Sequence, residues 1–312
     1  MHSLPIIDFA PFLNGTKADK KRVALAMRNA SKTIGFFMLK NVGIPNIDVN
    51  NAFKNAKSFF DLPNEVKQQL AWQNAESNRG YIAVRRETLD PTQKSDLKEA
   101  FNLGTQKTEL DLSDKAKNKW PATHPEFRNN IEPFIEQCTH LSFQVLRALA
   151  IALDIDDDYF CQAHDQQQHT FRLLHYPALA EQEGRADDES RAGAHTDYGS
   201  ITLLFQDDVG GLEVKSKEGH WVAASPAPET IVVNIGDLMQ RWTNDVFCSN
   251  PHRVTQPEQS RHKDRYSIAY FCTPNKDHII DCVPTCASSD SPAKYAPITT
   301  QDHMLERLNR TY

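Results

Sequence analysis

A chain of 312 residues, 39% hydrophobic and 24% charged, is long enough for a sizeable core, as one large domain or two ordinary ones. Its formal net charge is −6, with lysine and arginine spread along the chain, which argues against a phosphate-tracking surface and so against nucleic acid as a partner. No run of about 18 apolar residues occurs, and the start MHSLPIIDFAPFLNG has no basic segment before a long apolar one, so neither a membrane span nor a secretory signal is expected.

In chain order, apolar residues at Val23, Ala26, Met27 and Ala30 predict a helix from Thr16 to Thr33. A short strand follows at Gly35–Leu39 and ends at Asn41-Val42-Gly43-Ile44-Pro45. Asn46 to Leu70 is helical again, broken near Leu62-Pro63, and 78–110 is an irregular polar loop with room for short strands. A long helix fits Asn129 to Leu153, with Phe134, Cys138, Leu141, Val145 and Leu149 on one face. After about His169 the pattern becomes that of strands, at Thr170–Tyr176, Ser200–Gln206, Gly211–Lys215, Trp221–Ala224, Thr230–Gly236 and Arg265–Cys272. Short Gly, Pro, Asp and Asn segments separate them, as in an antiparallel sandwich or barrel. A last helix, Thr300 to Asn309, opens with Thr299-x-x-Asp302, which suits an N-cap. The expected organisation is one domain over 1–312. Residues 1–168 form a mostly helical part, 169–275 the β core, and 276–312 a C-terminal extension and helix.

The six cysteines, Cys138, Cys161, Cys248, Cys272, Cys282 and Cys286, are too few for a disulfide scaffold of this length. They read as reduced thiols, which places the chain in the cytoplasm. Cys282 and Cys286 are close, but no second Cys/His pair stands nearby to complete a zinc site.

His195 and Asp197 stand two apart just before an apolar run. In an extended segment residues i and i+2 point to one side, so both can aim into a barrel interior. Two imidazoles and one carboxylate leave coordination positions open on a divalent iron, where oxygen chemistry takes place. His252, 55 positions after Asp197, is the best candidate for the third ligand. Alone, H-x-D more often marks a polar turn before a strand. Arg265 and Ser267 are again i and i+2. An arginine pointing into a barrel needs an anion, and with the serine hydroxyl it would hold a carboxylate; pairing with an internal Asp or Glu is the alternative.

These residues sit in a set of motifs that is similar to the isopenicillin N synthase-like branch of the iron(II)/2-oxoglutarate-dependent dioxygenases. The set runs from LPIIDF at 4–9 through GFFMLKNVGIP at 35–45, RGY at 79–81 and DLKEAFNLG at 96–104. It continues with LLHYP at 173–177, HTDYGSITLLFQD at 195–207 and GGLEV at 210–214. VVNIGDLMQRWTN at 232–244, NPHRV at 250–254 and RYSIAYF at 265–271 complete it. Two positions depart: Val42 where the family often has histidine, and Leu174 where many plant members have asparagine.

The resemblance implies a double-stranded β-helix, or jelly roll, with supporting helices. It makes His195, Asp197 and His252 the iron ligands and gives Arg265 and Ser267 the distal carboxylate of 2-oxoglutarate, with Tyr176 in support. Fe(II), 2-oxoglutarate and O₂ would be the cofactors, and hydroxylation of a small molecule, with release of succinate and CO₂, the default reaction. A 2-oxoglutarate-independent oxidase and a non-catalytic carboxylate sensor of the same fold stay open. The chain is expected to be a monomer or a weak homo-oligomer.

For the substrate, a small acidic or amino-acid-derived metabolite is expected. Arg85 and Arg86 are either contacts to it or a solvated surface pair. Phe101, Trp242 and Phe271 either line its pocket or belong to the core.

Overall fold

In the computed structural model the described residues are 3–73, 78–88, 96–105, 107, 117–178, 191–255, 257–260 and 262–308. Parts of the 78–110 segment and Asn309 therefore lie outside them. The N-terminal part contains β1 (Ile6–Asp8), α1 (Ala10–Asn14), α2 (Lys17–Thr33), β2 (Phe36–Lys40), α3 (Asn46–Phe60) and α4 (Asn64–Gln69). Thr16 and Asp19 form a reciprocal capping box at the start of α2, which is why that helix begins where the apolar period does. The helical run after Asn46 is divided at Asp61-Leu62-Pro63, with Pro63 preceding α4. The segment expected to be irregular supplies two short strands, β3 (Gly80–Ile82) and β4 (Glu99–Gly104).

The long helix α5 runs Pro125–Ala152, four residues earlier than periodicity placed it. Pro125 supplies a start in the first turn, where its missing N–H costs nothing, and Pro133 is carried within the helix. Its face Phe134, Cys138, Leu141, Val145 and Leu149 is buried, and α5 packs against α2 and α3. After α6 (Tyr159–Gln162) come β5 (Thr170–Tyr176), β6 (Ala192–His195), β7 (Ile201–Gln206), β8 (Leu212–Lys215) and β9 (Trp221–Ala223). They are followed by β10 (Thr230–Ile235), α7 (Asp237–Trp242), β11 (His252–Val254), β12 (Arg265–Cys272), β13 (Ile279–Ile280), β14 (Ile298–Thr299) and α8 (Thr300–Leu308).

The strands form two main sheets. The large one has the order β1-β2-β10-β7-β12-β5-β4-β3, antiparallel except for β1–β2, and the small one β6-β11-β8-β9. This pair of facing sheets is the jelly roll, with helices outside the large sheet. Alternation assigns the two faces of each central strand. Phe171, Leu173, Ile201, Leu203, Phe205, Ile268 and Tyr270 join the helices in one core, whereas Leu174, Tyr176, Leu212, Val254 and Ala269 belong to a smaller cluster between the sheets. β6 and β11 were not expected as strands. Ala-Gly-Ala has little strand preference of its own, and these segments are extended because they pair with each other.

Candidate active site

Every second residue of the large sheet's central strands faces a cavity between the sheets. Thr170, Arg172, Leu174 and Tyr176 of β5 line it, as do Arg265, Ser267, Ala269 and Phe271 of β12. The small sheet contributes Ala192, His195, Leu212, His252 and Val254. Its volume, ≈190 Å³, suits a small ligand.

His195 ends β6, and its antiparallel register partner is His252 on β11, so the two imidazoles stand side by side with ring centroids 4.3 Å apart. Asp197 lies just past the strand end. Its Oδ1 is 4.0 Å from His195 Nε2 and 3.7 Å from His252 Nε2, and one ligand atom from each residue fits within 4.8 Å of the others. Among the described residues this is the one such group of His, Cys, Asp and Glu. The surroundings orient the donors. His195 Nδ1 donates to Gly193 O at 2.7 Å, which leaves the Nε2 lone pair toward the cluster. Asp197 Oδ2 accepts from Thr202 Oγ1 at 2.6 Å and from Asn234 Nδ2 at 2.7 Å, turning Oδ1 toward the imidazoles. Burial opposes ionisation of Asp197, but the two histidines and these two donors outweigh it and lower its pKa. Burial and the neighbouring His252 push His195 down to about 3, so its ring is neutral and able to ligate.

The loop between His195 and β7 is anchored from behind. Gly236 comes so close that an added Cβ would lie 2.2 Å from Gly199 O, and this contact lets the Asp237 amide at the start of α7 donate to Asp197 O at 2.8 Å. In the core, His164 donates from Nδ1 to Phe160 O (2.7 Å) and accepts from the Ser200 hydroxyl at Nε2 (3.0 Å), holding the far end of the same loop.

Deeper between the sheets, Arg265 is 1% exposed. Its Nε donates to Gly210 O (2.8 Å), its Nη1 reaches Ser267 Oγ (3.3 Å), and its guanidinium lies 4.8 Å from the ring centroid of its register partner Tyr176. No carboxylate of a described residue is within ion-pair distance of it. Arg191, missed in the sequence, is a second buried cation near by, tied through Nη2 to Pro177 O and Lys263 O, both at 3.2 Å. Burial and the charge of Arg265 push its pKa down to about 10. A buried guanidinium without a counter-charge is costly, so this end of the cavity fits an anion that brings its own carboxylate.

Two family models match the chain: the non-haem dioxygenase in morphine synthesis N-terminal model over residues 4–123, and the 2OG-Fe(II) oxygenase superfamily model over residues 167–274. The chain belongs to the 2OG-Fe(II) oxygenase superfamily. It is 34% identical to the 2-oxoglutarate-Fe(II) type oxidoreductase hxnY of Emericella nidulans, over 99% of this chain and 90% of that one. It is 35% identical to the proline hydroxylase buaE of Petromyces alliaceus, over 98% of each. A full-length Neurospora crassa protein, crystallised in complex with alpha-KG and thymine, superposes with a TM-score of 0.91 at 39% identity, covering 99% of this chain and 97% of that one.

The protein is thus an Fe(II)- and 2-oxoglutarate-dependent hydroxylating dioxygenase, and the 2-oxoglutarate-independent alternative is set aside. The donor set fits the metal: two imidazoles and a carboxylate whose second oxygen is already hydrogen-bonded.

The oxygenase's substrate end differs from the sequence expectation. Of the five residues expected there, only Phe271 lines the cavity. Phe101 is fully buried on β4, stacked on Phe59 at 4.1 Å and near Phe127 at 6.1 Å, because it faces the helices and not the small sheet. Trp242 packs against Phe160 and Tyr159 at the end of α7, again in the helix-side core. Arg85 and Arg86 are exposed and outside the cavity lining, with Arg86 lying 5.4 Å over the Trp72 ring. In their place stand Asn78, Glu87, Lys98 and Arg172. Arg172 pairs with Glu87, and Lys98 lies between Asp96 and Glu87, the latter at 3.5 Å. The signal that could have found Thr202, Asn234 and Arg172 is a polar residue inside an otherwise apolar strand, as in ITLLF, VVNIG and TFRLL.

Proposed function

We propose that the primary substrate is a small, uncharged, flat heterocycle of the pyrimidine type, hydroxylated at a carbon held beside the metal. The observation that carries this reading is the charge balance at the substrate end. The lining cations Arg172 and Lys98 face Glu87 in the lining and Asp96 behind it, so among the described residues the wall offers hydrogen-bond donors and acceptors with its charges matched. Tyr198 and Phe271 add aromatic faces, and Leu204, Phe36 and Met304 add apolar ones. The Neurospora crassa relative, crystallised with thymine and with 5-formyluracil, supports the same class at 39% identity.

In this reading His195, Asp197 and His252 hold Fe(II), and Arg265 and Ser267 bind the far carboxylate of 2-oxoglutarate with Tyr176 alongside. The bound iron and co-substrate supply the oxidising chemistry, consuming O₂ and releasing succinate and CO₂. The chain itself neutralises the co-substrate, keeps the His195 imidazole in the ligating tautomer and holds Asp197 ionised. The cavity size and the compensated walls then select a neutral ring over a charged amino acid.

The deciding measurement is succinate release under air with Fe(II) and 2-oxoglutarate, comparing thymine, L-proline and orotate. Thymine should raise release well above the substrate-free background and yield a hydroxylated product. Stimulation by proline or orotate but not thymine would reverse the substrate assignment while leaving the reaction class intact.

A further inference from the structure

We propose that the C-terminal helix α8 forms a wall of the substrate cavity, and that Arg307 on it is a positioning residue that fixes Tyr198 and the loop between His195 and Asp197. The proposal rests on the reading that this cavity receives the primary substrate. Met304 and Arg307 are three apart on α8 and so share a face. Met304 lines the cavity. Arg307 Nη2 donates to Thr196 Oγ1 at 2.8 Å and also to Asp237 Oδ2, while the Thr196 hydroxyl donates to that same carboxylate oxygen at 2.9 Å. The guanidinium lies 5.2 Å from the ring centroid of Tyr198, itself a cavity residue.

One cation thus gathers three elements: α8, the first residue of α7, and the loop that carries His195 and Asp197. Asp237 is fastened to this loop a second time, through its amide to Asp197 O at 2.8 Å. The side chains of Arg307 and Asp237 are 29% and 16% exposed, so the ion pair alone contributes little to stability. Its consequence is geometric. Thr196 and Tyr198 alternate with His195 and Asp197 along the chain, and a shift of the first pair displaces the aromatic face presented to the substrate. The helix that closes the cavity with Met304 is the helix that sets this face.

The test uses the full-length chain with Arg307→Gln, Arg307→Lys and Met304→Ala. In metal-free protein, amide hydrogen exchange of 196–199 and 300–308 should rise about tenfold in Arg307→Gln, with β5, β7 and β12 still protected. With thymine as the probe, the KM for thymine should rise about tenfold in Arg307→Gln, and succinate should form in excess over hydroxylated product. The KM for 2-oxoglutarate should move less than about twofold. Arg307→Lys, which keeps the charge but not the planar group over Tyr198, should recover part of the loss. Met304→Ala should raise the KM for thymine with 196–199 protected as in the parent. Unchanged exchange at 196–199, a joint rise of both KM values, or loss of protection through the whole barrel would overturn the proposal. If the parent does not turn over thymine, the substrate reading fails and the exchange result alone decides the role of Arg307.

Discussion

Neighbouring residues on β5 face opposite ways, and each enters a buried polar cluster. Tyr176 faces the cavity beside Arg265. His175 faces the helices and bonds Glu99 Oε1 at 2.7 Å, while Glu99 Oε2 accepts from Lys67 at 2.9 Å and from the Tyr81 hydroxyl. The His175 ring is stacked on Tyr266 at 4.6 Å. Burial opposes ionisation of Glu99, yet its three donors lower its pKa below the usual range. In this cluster both carboxylate oxygens are used, and Lys67 supplies a counter-charge to Glu99. Across the strand, Asp197 keeps Oδ1 toward two imidazoles, and Arg265 has no carboxylate partner among the described residues. A closed network serves the fold; a network with bonding capacity directed into a cavity serves a ligand.

This contrast is open to attack from both sides. The largest effect is expected at the metal cluster: His195→Ala should abolish iron binding and lower turnover by at least about a thousandfold, with the folded state retained. Iron content after anaerobic loading and succinate release check it, and full turnover in that variant would sink the ligand assignment. Glu99→Ala should behave in the opposite manner. Removing one partner of a buried ionic group costs about 3–5 kcal/mol, to be read from urea unfolding, whereas the KM for 2-oxoglutarate should hardly change. A drop in co-substrate affinity at unaltered stability would erase the distinction between the clusters.

Arg265→Ala should raise the KM for 2-oxoglutarate about tenfold to a hundredfold, since a charge-assisted contact to a remote carboxylate is lost. A further effect concerns acid. Burial holds His164 down at about 4 and His169 well below its ordinary value, so both are neutral in the folded chain. The unfolded chain takes up these protons below pH ~6.5, the folded chain only near 4 for His164. Stability should therefore be fully present above that upper value and fall as the pH drops toward 4, by about 1.4 kcal/mol per pH unit for each histidine. Unfolding free energies at several pH values across that window test this; a flat profile would mean that the fold holds neither ring neutral.

Much of this was legible in the chain itself. The long apolar period of α5, the alternation in β5, β7, β10 and β12, and the capping box at Thr16 are local properties, and the structure has these elements within a few residues of where they were expected. The pairing of H-x-D with a later histidine, and R-x-S on β12, were readable because period-2 geometry places residues two apart on one side. The aromatic residues were not sortable in this way. Phe101 and Phe271 both sit in mixed apolar strand segments, and only the register of β4 and β12 sends one to the helices and the other to the cavity.

The reaction class and its polar chemistry were therefore legible in the sequence by itself, through motifs that resemble the iron(II)/2-oxoglutarate-dependent dioxygenases and through polar residues at short spacing within them. Tertiary structure decided which side chains line the cavity. It brought Glu87, Lys98 and Arg172 together from three separate segments, set His252 in register with His195, and laid Met304 and Arg307 of the last helix against the loop of the metal cluster. Such contacts join positions far apart in the chain, and no local preference encodes them; they follow from which faces the two sheets and the helices must bury against one another.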